Sequence, residues 1–141
     1  MSQYLIAHIG HTTKWCEHIT WWKPESMGYC FGLEKAGIYS EAKARGICEM
    51  SGLCIAVPPA EARRLAQSTP YYRGPGGMLA PLYDGMPLEV VPNSPAAWRA
   101  LSMAALQCER KPDKPTPITA SRSRAIYLPA DLIAPPVAKE G

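Results

Sequence analysis

Apolar positions in this chain fall into short, separated runs, and their spacing changes from strand-like to helical and back several times. "YLIAHI", Tyr4 to Ile9, reads as a strand that ends at Gly10 and is followed by a polar turn, "HTTKWCE". "HITWW" reads as a second strand, with Ile19 and Trp21 on one face and Thr20 and Trp22 on the other. Pro24 ends it because proline has no N–H to give to a ladder. "PESMG" is a turn, and a third strand is expected from about Tyr29 to Tyr39, with a bulge or bend at Gly32 or Gly37. This pairing would gather Trp21, Trp22, Tyr29, Phe31 and Tyr39 into a cross-strand cluster, by which a small sheet buries enough area to persist. Because Trp21 and Trp22 are adjacent, one of them faces outward unless both sheet faces are covered.

The spacing then turns helical. Ser40 is placed to cap a helix over Glu41 to Met50, in which Ala44, Ile47 and Cys48 form the apolar stripe and after which Gly52 is the stop. "LCIAVP", Leu53 to Pro58, is a buried strand, and Pro59 opens a short helix over 59–67 on which Ala62, Leu65 and Ala66 share a face. Thr69 to Pro87 reads as a long loop rich in Gly and Pro. "LEVVP" suggests a last strand, and Asn93 or Ser94 caps a helix over 95–107 with Trp98, Leu101 and Ala105 on one face. The expected fold is α+β: a small, mostly antiparallel sheet with about three short helices, forming one domain over residues 3–107. Residues 108–141 hold six of the 15 prolines and are expected to form an extended or partly disordered tail that orders only in a complex. Within that tail "AIYLPADLIAPP" is suited to dock as a strand or to pair with a partner.

Charge narrows the partners. Residues 1–60 carry five basic and five acidic side chains, 61–107 four and three, and 108–141 six and four, so no region has the basic footprint of a general duplex binder. Nucleic acid stays possible but is not favoured, with "SRSR", Ser121 to Arg124, as the best patch. The amino-terminal stretch has no basic start and there is no apolar run of about eighteen residues, so the expectation is a soluble, cytoplasmic protein without a membrane segment. In that setting the five cysteines are expected as thiols.

Candidate chemistry is sparse. His11, Cys16, His18 and Cys30 would be the set for a zinc site, but their spacing matches no standard finger. There is no glycine-rich phosphate cradle, and no cofactor is expected; Pro75 breaks "RGPGG" by removing an amide donor. "HIGHTT" and "AGIYSEAKA" loosely resemble the strand-borne His and the G-x-Y-then-helix element of ADP-ribosyltransferases. That resemblance implies His8 or His11, Tyr39 and Glu89 as catalytic candidates in an NAD-dependent reading.

A broader pattern, "EHITWWKPESMGYCFGLEKAGIYSEAKA" followed by "CIAVP", "TPYYR" and "VPNSPAAW", resembles small accessory proteins encoded by tailed phages and prophages. The resemblance covers roughly residues 4 to 101. It implies action in the bacterial host by stoichiometric binding of a host protein, for example a defence complex such as a CRISPR effector. A non-enzymatic binding protein is the favoured expectation. Its contacts are expected from the outward ring of Trp21 and Trp22, from Tyr71, Tyr72 and Arg73, and from Arg122 and Arg124, because Trp, Tyr and Arg dominate interface hot spots.

Overall fold

The computed structural model describes residues 2–84 and 88–128. Its centre is the first strand, β1 (Gln3–His8), whose four residues Leu5 to His8 are buried. With Leu5, Ile6 and Ala7 buried in succession, this strand has two faces to cover, as expected of a central strand. The aromatic span after it does not form one long hairpin. It divides into β2 (Trp21–Trp22), a 3-10 turn at Pro24–Ser26, β3 (Tyr29–Cys30), a second 3-10 turn at Leu33–Lys35, and β4 (Tyr39–Ser40). The bend is at Gly37. A Cβ there would lie 2.7 Å from the backbone of Pro24, and the Gly37 N–H donates to Trp22 O at 2.8 Å. The expected third strand is therefore folded back on the second instead of running straight to Tyr39.

Helix α1 (Glu41–Met50) begins where it was expected, with the Ser40 hydroxyl accepting from the Lys43 N–H at 3.3 Å. It leads into β5 (Cys54–Val57), which pairs with β1 from Leu5↔Val57 to His8↔Cys54. β2 and β4 lie along the other edge of β1, at Ala7↔Trp21 and at Tyr4↔Tyr39, and every pairing is antiparallel. Helix α2 (Pro59–Leu65) stops two residues short of expectation, because Gln67–Ser68 form strand β6.

The stretch expected as a long loop is instead mostly a hairpin. β7 (Pro70–Arg73) and β8 (Leu79–Pro81) pair through a turn at Pro75–Gly77, in which Gly76 and Gly77 take φ of 73° and 79°. Residues 85–87 of the expected loop lie outside the described residues. β9 (Glu89–Val90) pairs with β6. Helix α3 (Pro95–Ala104) is capped by Ser94, whose hydroxyl accepts from Ala97 N–H at 3.1 Å. It ends before 107 because Leu106 N–H turns to donate to Ala56 O on β5.

The sheet has one core on each face. Leu5, Ala7, Ile9, Ile19, Trp21, Ile55 and Val57 pack with Ala62 of α2 and with Ala97, Trp98 and Leu101 of α3. Ile6, Tyr39, Cys54 and Ala56 pack on the opposite face with Ala44 and Cys48 of α1, and Trp22 joins them. The fold is α+β, with helices on both sides of a small antiparallel sheet. Both tryptophans of "HITWW" consequently face a core.

The tail from Cys108 returns over the domain. Asp113 N–H donates to Gly52 O and Ile118 N–H to Asn93 O, and β10 (Ile126–Tyr127) pairs with β7 at Ile126↔Tyr71. This is the strand docking that "AIY" suggested, made within the chain. Residues 129–141 lie outside the described residues. Among the described residues, no helix is long and apolar enough to cross a membrane.

Candidate interaction surface

Three segments distant in sequence meet at Asn93, which is fully buried. Its side-chain amide donates to the carbonyls of Thr13 (3.0 Å), Cys16 (2.9 Å) and Thr116 (3.2 Å), and its Oδ1 accepts from the Trp98 indole N–H at 2.6 Å. Thr12 adds a second clasp. Its hydroxyl donates to His8 O and accepts from Thr20 N–H, while its carbonyl accepts from the Thr116 hydroxyl. The turn 11–17 and the returning tail are thus fixed to the start of α3. Buried amides are retained in such places because every donor and acceptor finds a partner.

On this platform the Glu17 carboxylate receives the Ser123 hydroxyl at 2.9 Å and the Arg124 N–H at 2.7 Å. The two arginines beside Ser123 are thereby aimed at rings. The Arg122 guanidinium lies 4.1 Å from the centroid of Trp15, and that of Arg124 lies 4.8 Å from Tyr72. The Lys14 ammonium stands 5.6 Å from the same Trp15 ring. Cation–ring contacts at such exposed sites contribute about 0.5–1 kcal/mol each, enough to favour one orientation of a long side chain. Trp15 remains 66% exposed, the most open ring in this cluster.

Behind the surface is a second polar constellation. His18 is fully buried, its Nδ1 2.7 Å from the Tyr83 hydroxyl and its Nε2 2.6 Å from the Tyr127 hydroxyl. Burial lowers the His18 pKa to about 4, so the ring is neutral at physiological pH. A neutral imidazole donates from one nitrogen and accepts at the other, so one tyrosine accepts its proton and the other gives one. Burial, with Glu17 nearby, pushes both phenols up, Tyr127 to about 12 and Tyr83 further. Neither is a source of phenolate at neutral pH. Tyr83 in turn stacks on Phe31 at 4.8 Å, which ties the loop after β8 to the aromatic span. The constellation is a clamp joining residues 18, 83 and 127.

The structure brings some expected contact residues together and withdraws others. Tyr71, Tyr72 and Arg73 lie on β7, the strand that pairs with β10, so Tyr72 joins Arg122 and Arg124 on one face. Arg73 is exposed and donates to Gly77 O within its hairpin. Trp21 is fully buried and Trp22 packs against Tyr29 at 4.6 Å and His8 at 5.8 Å, so neither is the outward ring expected of them. The reason is that α1 covers the second face of the sheet.

The catalytic candidates do not form a site. Tyr39 pairs with Tyr4 and is thus about 13 Å from His8 along β1, at the usual rise of a strand. Its hydroxyl donates to Lys23 O and accepts from Ser26 N–H, so it is spent on holding the turn. His8 has its pKa lowered to about 4 by burial and by neighbouring His11, and its Nδ1 accepts from His11 N–H. Glu89 pairs with Ser68 on β9, where its Oε2 accepts the Ser68 hydroxyl. The zinc candidates are separated as well. Both nitrogens of His18 are taken by tyrosines, the Cys30 thiol faces Gly32 O, and the Cys16 thiol faces His11 O. Among the described residues, no three His, Cys, Asp or Glu side chains converge to hold a metal ion.

Trp15, Glu17, Tyr83, Tyr127 and Asn93 were not singled out from the sequence as site residues. Trp15 carried the one readable signal, a large ring inside a polar turn. No family model, curated protein or solved structure matches the chain.

Proposed function

We propose that this chain is a stoichiometric binding protein that engages a partner protein through Trp15, Tyr72, Arg122 and Arg124. The observation that carries the reading is Trp15, a two-thirds exposed ring held under the Arg122 guanidinium on a rigid, hydrogen-bonded platform. A pre-ordered aromatic with flanking arginines loses little side-chain freedom on binding, and this favours affinity. Lys14, Arg122 and Arg124 make the face cationic, with Glu17 already engaged, so the complementary partner presents carboxylates around an apolar pocket. In the setting implied by the phage-like sequence pattern, that partner is a bacterial host protein, a component of a defence complex being the case to test first.

The test is capture from bacterial lysate with tagged wild-type protein and with a Trp15→Ala, Arg122→Ala double variant, each after nuclease treatment. A protein retained by the wild type and reduced at least about tenfold by the variant, at unchanged melting temperature, supports the reading. Retention equal in both proteins overturns the assignment to this surface. Capture that disappears with nuclease and falls steeply with salt assigns the same arginines to nucleic acid instead.

A further inference from the structure

After α3 the chain passes between α1 and β5, and four hydrogen bonds fix its path on both sides of Cys108. Leu106 N–H donates to Ala56 O (2.8 Å) and the Arg45 guanidinium to Gln107 O (2.7 Å). The N–H groups of Glu109 and Arg110 donate to the two carboxylate oxygens of Glu49, at 2.7 and 3.0 Å. Arg45 and Glu49 stand on either side of Cys48 on α1, so the helix grips the chain before and after Cys108 while presenting Cys48 to it. Cys108 packs against the cluster that holds Cys48 and Cys54, and the three line a cavity of about 290 Å³. Cys48 and Cys54 are buried and Cys108 is half-buried, so Cys108 is the thiol that a reagent reaches first.

We propose that Cys48 and Cys108 are a dithiol that a low-molecular-weight disulfide oxidises to an intramolecular bridge, stapling the start of the returning tail to α1. The Cys108 thiolate attacks one reagent sulfur and releases the other half as a thiolate, leaving a mixed disulfide on Cys108. Cys48 loses its proton to water and attacks the Cys108 sulfur, and the second half of the reagent leaves as a thiolate. The protein gives up two electrons and the reagent disulfide takes them. Arg110, Lys111 and Lys114 line the cavity against the single carboxylate of Asp113, which favours a reagent bearing carboxylates, such as glutathione disulfide. Burial pushes the Cys48 thiol up to about 12, so the second step is slow at neutral pH and quickens nearly tenfold for each pH unit below that value. Cys54 lies on β5 opposite His8 and takes no part in the proposed bridge.

The experiment treats the full chain with glutathione disulfide, alkylates the remaining thiols, and maps the products by mass spectrometry after two proteases. Trypsin alone leaves Cys48 and Cys54 on one fragment, 46–63, whereas cleavage after Glu49 separates them. The expected product links 46–49 to the fragment holding Cys108, forms roughly tenfold faster at pH 8 than at pH 7, and persists in Cys54→Ala. It is absent from Cys48→Ala and from Cys108→Ser, and the second variant alters only a half-buried position should the first fail to fold. A bridge between Cys48 and Cys54, a bridge between two chains, or a lasting mixed disulfide on Cys108 without closure would each overturn the proposal. So would a full set of alkylated thiols after treatment.

Discussion

Acid should loosen this protein through His18, and the size of the effect follows from its surroundings. The unfolded chain holds a histidine with a pKa near 6.5, whereas the folded one lowers it to about 4. Between those values the unfolded chain binds more protons, so stability rises with pH across the window and is lost as pH falls through it. For a fully buried ring the linkage relation gives about 2–3 kcal/mol lost between pH 7.5 and pH 4.5 from this group alone. Tyr83 and Tyr127 face the ring and are neutral throughout. The assay is urea unfolding followed by tryptophan fluorescence at both pH values, for the wild type and for His18→Gln. Gln keeps a donor and an acceptor but does not titrate. Carboxylates and His8 contribute to the acid loss in both proteins and cancel in the difference. The wild type should lose about 2–3 kcal/mol more than the variant. An equal loss in the two would refute the clamp as the origin.

Two other predictions concern the residues that hold the platform. Asn93→Ala strips the Trp98 indole and three carbonyls of their partner, and should cost about 2–4 kcal/mol in urea unfolding, with protease cleavage appearing near Thr116. Tyr39→Phe should cost about 1–2 kcal/mol by removing the hydroxyl that holds Lys23 and Ser26, without any change in NAD consumption by the protein; a specific loss of NAD turnover would restore a catalytic role to that residue.

What the chain states locally was legible from its sequence. Ser40 and Ser94 are caps because a short hydroxyl side chain reaches the N–H three residues on, and that depends on nothing beyond the first turn. The expected strands at Tyr4 to Ile9 and Leu53 to Pro58 form as β1 (Gln3–His8) and β5 (Cys54–Val57) because runs of successive apolar residues need cover on both faces. The same logic located α1 and the start of α3, and the α+β class followed from them.

The tertiary structure decided everything that depends on which distant segments meet. Periodicity put Trp21 and Trp22 on opposite faces, but only the packing of α1 on the second face settled that neither ring is free. Glycine and proline marked Thr69 to Pro87 as a loop, yet a tail strand more than fifty residues later pairs with its first half, and the hairpin forms on that edge. His18 meets Tyr83 and Tyr127 across 65 and 109 residues of chain. No spacing rule reports such a contact, because its energy comes from burial shared by three segments and its entropic cost from closing the long loops between them. The face bearing Trp15, Tyr72, Arg122 and Arg124 belongs to the same category: each residue type was visible in the sequence, and only the fold made them neighbours.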